Sequence, residues 1–175
     1  MKFELNAGDV CVSLYECDSR SELEERLRRV DGVVLLDEEQ SGSRFVLVEV
    51  QRCGGEEVRA WGMDIVEHGP SPQMVVHGEE CLRWVAFGSS LWLVDVWEAR
   101  VVKYNRLDCV FWDIVRMDSG AAAVVHELGV TAYDAAGERL WDVSGSDMLA
   151  GFEVEDERIL CRFDDGTSAE RKLSV

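Results

Sequence analysis

Within residues 96–143 one pattern occurs twice at a spacing of 29 residues. Val96, Glu98, Val101, Tyr104, Trp112 and Asp113 recur as Val125, Glu127, Val130, Tyr133, Trp141 and Asp142, and Asn105 is answered by Asp134. Self-similarity of this kind marks a supersecondary unit that buries its apolar face only by stacking on its neighbours. Each copy alternates β-branched and aromatic residues and breaks them with Gly, Asn or Asp, so the unit reads as strand–turn–strand. Strands are expected at about 100–104, 107–115, 121–126, 130–133 and 139–143. The same idiom extends upstream (74–77, 81–87, 91–97) and downstream, with two strands around Asp164, Asp165 and Gly166. The fold class expected is mainly β, an antiparallel meander of β-hairpins forming a sandwich or propeller-like sheets, with one N-terminal α-helix at about 21–30.

That helix is marked by a capping box of Ser21 and Glu24, by Leu23, Leu27 and Val30 on one face, and by Gly32 at its end. Acids (Glu22, Glu24, Glu25) precede bases (Arg26, Arg28, Arg29) by four residues, so the arginines read as partners within the helix rather than as a basic patch. Strands are expected at 2–5, 9–16 and 32–37. The near-continuous apolar run at 44–51 reads as a central strand covered on both faces, and Gly62 as a bulge in a strand at 57–67. A length of 175 residues fits one domain, 1–175. The loop Gly69-Pro70-Ser71-Pro72 offers a subdivision into a mixed α/β half, 1–68, and an all-β repeat half, 73–175.

The second copy, from Gly129 through Tyr133-Asp134 and Gly137 to Trp141, resembles the blade hairpin of quinoprotein-like and WD-like β-propellers, in which a strand ends in an aromatic-Asp pair, turns through Gly and resumes at Trp. Asp134 is placed to cap the turn and Gly137 to supply a positive φ. The resemblance covers residues 96–143. It implies the hairpin but no cofactor, and 29 residues hold about three strands, short of the roughly 40 that a four-stranded blade needs.

Charge constrains partners. The 35 acidic residues against 18 basic ones give a net charge of −17, a field that repels nucleic acid and anionic membranes and speeds encounter with a basic protein. The N-terminus lacks signal-peptide character and no apolar run approaches a membrane span, so the expected compartment is the cytoplasm. The six cysteines lie singly among apolar strand residues and read as free structural thiols. With no Cys-x-x-Cys and three scattered histidines, His68, His77 and His126, no metal or other cofactor is expected.

No nucleophile, phosphate-loop or metalloprotease motif occurs. His126 beside Glu127 has the makings of an oriented base, but Trp97 stands at that position in the first copy, so a structural role is the simpler reading. The repeated Asp113 and Asp142 read as turn or backbone partners rather than as a catalytic pair. Most of the six tryptophans should be core; Trp92 and Trp97, taken as one strand, should face opposite ways. In size, charge and lack of motifs the chain is similar to bacterial immunity proteins. That likeness implies a non-catalytic module that neutralises a basic partner such as a toxin. Its candidate contact residues are the acidic clusters Asp37, Glu38 and Glu39, Glu79 and Glu80, and Glu155, Asp156 and Glu157, together with Trp97 and His126, an aligned pair at which the copies differ. The alternative is a small-molecule site, for instance for carbohydrate, or a hydrolytic cleft built from Trp and carboxylates.

Overall fold

The computed structural model describes residues 2–7, 10–36, 42–52, 54–65, 70–76, 82–95, 97–98 and 100–174. The chain is mainly β, in four successive sheets with one helix. The first sheet contains β1 (Lys2–Ala7), β2 (Val10–Cys17), β3 (Val33–Leu36), β4 (Arg44–Arg52) and β5 (Val58–Ile65) in the order β1-β2-β4-β5-β3. All neighbours are antiparallel except β3 and β5, which run parallel. The apolar run of β4 is central, as its pattern requires. Leu47 packs beneath the helix, while Val46, Val48 and Val50 join the core shared with the second sheet.

The helix α1 (Arg20–Arg28) begins earlier than expected, because the capping residue is Ser19 rather than Ser21. Ser19 Oγ accepts from the Glu22 amide at 3.2 Å, and Glu22 in turn accepts from the Asp18 amide at 2.8 Å. The earlier start brings Arg20 into the first turn, where it pairs with Glu24 at 2.9 Å and reaches the buried Asp64 of β5 at 3.5 Å. Glu22 and Glu25 pair with Arg26 and Arg29, whereas Arg28 donates to the Glu24 carbonyl. At the far end Asp31 takes the positive φ of 52°, and Gly32 is needed for another reason: a Cβ there would lie 2.4 Å from Leu27 Cδ2. Gly62 likewise marks no bulge, since β4 and β5 pair without interruption from Arg44 opposite Ile65 to Gln51 opposite Val58. It lets α1 approach the sheet, because a Cβ would come within 2.8 Å of Leu23 and Leu27.

The second sheet is β6 (Gln73–Val76), β7 (Leu82–Phe87), β8 (Ser90–Asp95) and β9 (Arg100–Arg106). The third is β10 (Phe111–Arg116), β11 (Ala122–His126), β12 (Gly129–Tyr133) and β13 (Arg139–Ser144). The fourth is β14 (Leu149–Glu155), β15 (Arg158–Phe163) and β16 (Ser168–Lys172), each sheet a simple antiparallel meander. The hairpin repeat is therefore real, but the 29-residue spacing is not the period of the fold. That alignment sets Tyr104 on β9, an outer fourth strand, against Tyr133 on β12, a third strand. Equivalent hydrogen bonds reveal the true unit. The Phe111 amide donates to the Gly88 carbonyl, and the Leu149 amide, 38 residues on, donates to the Glu127 carbonyl. Asp95 and Asp134, 39 residues apart, each close the turn before a fourth strand. The repeating unit is thus a four-stranded sheet of blade length, and the fourth sheet has three strands among the described residues.

The main core lies between the first three sheets and holds Trp61, Trp84 and Trp92; a second core, between the third and fourth, holds Val125, Val130, Ile159 and Phe163. Trp97 does not share a strand with Trp92, because β8 ends at Asp95 and Trp97 sits in the following turn. Among the described residues Cys17, Cys109 and Cys161 are free thiols, Cys17 and Cys161 buried. No described helix is long and apolar enough to cross a membrane.

Candidate functional site

The acidic candidates Asp37, Glu38, Glu39, Glu79 and Glu80 lie outside the described residues. The remaining candidates fall in three separate places. Trp97 is half-buried, with the Arg52 guanidinium 5.1 Å from its ring centre, a contact that ties the end of β4 to the β8–β9 turn. His126 closes β11 in a cleft between the second and third sheets, whereas Glu155, Asp156 and Glu157 occupy the exposed β14–β15 turn.

The His126 environment is specific. Together with Thr131 it accounts for two of the four buried polar or charged residues among those described. The Leu128 amide donates to Nδ1 at 3.3 Å, and Cys109 Sγ also lies 3.2 Å from Nδ1. An amide can only donate, so Nδ1 is the acceptor and the ring proton sits on Nε2, which donates to Thr131 Oγ1 at 3.1 Å. Burial pushes the Cys109 thiol up, so it stays protonated and donates to the same nitrogen rather than serving as a thiolate nucleophile. Burial likewise lowers the His126 pKa from its ordinary 6.5, with Arg139 acting in the same direction against Asp108, Asp142 and Glu127. The imidazole is a neutral bracket between strands and a loop.

This arrangement has a consequence for stability. The unfolded chain takes up a proton on His126 near its ordinary pKa, while the folded chain resists it. Stability from this group is therefore complete above about pH 6.5 and declines as pH falls toward the depressed folded value, with a slope of at most about 1.4 kcal/mol per pH unit. Urea unfolding between pH 7.5 and 5.5 should show this decline, and His126→Asn should flatten it. Equal slopes in the two proteins would remove His126 from the account.

On the fourth sheet the strand register builds a second feature. Glu153 stands opposite Leu160, which stands opposite Glu170, while Glu155, Arg158 and Lys172 form the next row. Glu153, Glu155, Asp156 and Glu170 surround Leu160 and Arg158 in a shallow cleft of about 240 Å³. Arg162 holds both oxygens of Glu153 at 2.8 Å and keeps its carboxyl below the usual range, and Arg158 pairs with Glu170 at 2.5 Å. Among the described residues Glu155, Asp156 and Glu157 have no ion-pair partner. Glu153, Leu160 and Glu170 did not emerge from sequence reasoning; the signal available was the period-two alternation along β14 and β15. A third cleft, of about 410 Å³, is mostly apolar and lies over Leu14, Val46 and Met63. None of these three clefts carries a tryptophan in its lining. Among the described residues no group of three His, Cys, Asp or Glu side chains is placed to hold a metal.

No protein-family model matches the chain, and no curated protein sequence matches it. Among solved structures it is similar to the computationally designed Ika4 protein, with a TM-score of 0.54 and 8% identity over 98% of this chain and 89% of that one. It is also similar to the computationally designed Ika8 protein (0.53, 9% identity, 97% of this chain and 44% of that one). A third likeness is to Sqt1 of Saccharomyces cerevisiae, a WD40 propeller protein (0.51, 13% identity, 91% of this chain and 46% of that one). The chain spans less than half the length of the last two. At such identities the likeness is one of fold alone: a β-propeller-like succession of antiparallel sheets.

Proposed function

We propose that the chain is a non-catalytic acidic module that binds a basic protein, acting as an inhibitory partner of the kind immunity proteins represent. The observation that carries this reading is the face of the fourth sheet, where an apolar centre at Leu160 is rimmed by Glu153, Glu155, Asp156 and Glu170. Two of these acids are already engaged by arginines, which fixes their geometry. The free acids at 155–157 leave an attractive field at one end of the face. A net charge of −17 strengthens that field and steers a basic partner toward it. Trp-free clefts give a carbohydrate site less support.

The turn itself supplies a test that separates binding from folding. Asp156 and Glu157 both have positive φ, 46° and 59°, in a two-residue hairpin turn that Asn-Gly adopts more readily. The triple variant Glu155→Gln, Asp156→Asn, Glu157→Gly removes three charges while easing the turn. Immobilised full-length chain should retain one stoichiometric basic protein from its native host at low salt and release it at high salt. The triple variant should bind that partner about tenfold more weakly or worse, with a melting temperature unchanged or raised. Retention that is indifferent both to salt and to the triple variant would overturn the proposal.

A further inference from the structure

The cleft beside His126 has a property that the acidic face does not share: its floor presents two hydroxyl groups whose protons meet no acceptor among the described residues. His126 Nε2–H donates to Thr131 Oγ1, so the Thr131 hydroxyl proton must be given elsewhere, and among the described residues no acceptor receives it. The Tyr133 hydroxyl makes no hydrogen bond among the described residues either. Both side chains are more than nine-tenths buried, at 7% and 6% exposure, and both line a cavity of about 180 Å³. With the rest of each side chain packed away, these hydroxyl protons are satisfied only from the cleft, by water or by a guest that accepts. Because the Leu128 amide fixes the imidazole tautomer, Thr131 is held as a donor toward the cavity.

The surroundings decide what the guest is. Arg139 stands opposite Tyr133 across the β12–β13 pair and spends one nitrogen on Asp142, at 2.9 Å, leaving further N–H groups. That pairing also neutralises Asp142, and Asp108, the other acid of the lining, sits exposed at the mouth. The neutral His126 contributes no charge of either sign. The floor therefore offers donors. Arg106 and Arg139 set two guanidinium groups in the lining against the carboxylates of Asp108 and Asp142, and the N–H groups that Arg139 does not spend on Asp142 form a fork that matches a carboxylate. The volume is below the roughly 300 Å³ at which drug-sized ligands begin. We infer that this cleft between the second and third sheets binds a small carboxylate, with oxygens accepting from Thr131, Tyr133 and Arg139.

The carboxylate has two sources, a free short organic acid or the C-terminus of a peptide. Acetate serves as probe for the first and N-acetylglycine for the second, with methylammonium chloride as the control cation. Titrated into the isotopically labelled full chain, one or both acids should shift the amide resonances of Leu128, Thr131 and Tyr133 along a saturable curve, and methylammonium should not. Stronger binding of N-acetylglycine identifies the peptide source, and stronger binding of acetate the free acid. Tyr133→Phe keeps the ring in the core and should weaken the response about tenfold, whereas Thr131→Ser retains the hydroxyl and should leave it within twofold. The inference fails if neither acid saturates, if Tyr133→Phe binds as the parent does, or if methylammonium binds equally well.

Discussion

Trp84→Ala is expected to remove about 3–5 kcal/mol of stability, more than any other core truncation among the tryptophans. Trp84 is wholly buried at the centre of β7, and it does three things at once. Its ring fills the main core between sheets, it lies 6.0 Å from the Tyr133 ring of the third sheet, and its Nε1–H donates to the Gly120 carbonyl at 3.0 Å. Truncation would leave a cavity and an unsatisfied carbonyl on the turn that leads into β11, so the transfer and hydrogen-bond losses add. For a chain of this size the loss corresponds to a fall in melting temperature of about 10 °C. Trp141, half-buried on the outer strand β13 with its indole N–H unpartnered, should cost clearly less on truncation. Urea unfolding followed by circular dichroism measures both, and equal losses would contradict the division between core and rim.

The contrast between these two tryptophans shows what was legible in sequence. Hairpins, turns and the helix rest on local chemistry, so Asp134 capping Ala136 and Glu138, Gly137 at a φ of 85° and the central position of β4 follow from neighbouring residues. The sheet period does not. Tyr-Asx and Trp-Asp pairs occur on inner and outer strands alike, so matching them aligned β9 with β12, while the true equivalences reside in backbone bonds such as Phe111 to Gly88 and Leu149 to Glu127. The parallel β3–β5 pairing was hidden for a related reason, since β4, which lies between them in sequence, pairs with the opposite edge of β5 and leaves β3 to the other. Ser19 and Ser21 are each followed three residues on by a glutamate, and the cap forms at Ser19, which leaves Arg20 in the first turn within reach of Asp64.

The candidate site was still less legible. His126 was visible as a difference between copies, but its meaning comes from Leu128, Thr131, Cys109 and Arg139, which the turn, the sheet and the preceding loop bring together. The two ends of the row of sheets also differ in a way that pattern alone does not reveal. One face of the first sheet is closed by α1 through Leu23, Leu27 and Leu47, so no further sheet can stack there. The fourth sheet instead offers its charged, Leu160-centred face to solvent. If the chain uses one end for a partner, that exposed end is the one with room.

Gly129→Ala should be comparably severe, on the order of 4 kcal/mol, for a reason unrelated to apolar burial. Gly129 follows the β11–β12 turn with a φ of 145°, outside the range of L side chains, and a Cβ there would lie 2.0 Å from the Val143 carbonyl oxygen. That oxygen belongs to the backbone of β13, which pairs with β12 through Gly129 opposite Ser144 and Val130 opposite Val143, so relief requires opening the ladder. Gly166, in the β15–β16 turn of the fourth sheet, has a φ of 82° and nothing within 4 Å of where a Cβ would sit. Gly166→Ala therefore meets only backbone strain, about 1 kcal/mol. The pair of variants also bears on the cleft. Opening the β12–β13 ladder separates Thr131 and Tyr133 from Arg139 and Asp142, so any Gly129→Ala protein that remains folded should lose the carboxylate response, while Gly166→Ala should keep it. A Gly129→Ala chain with parental stability would show that β13 yields at Val143 without cost, and the cleft's outer wall would then be far less rigid than its hydrogen bonds imply.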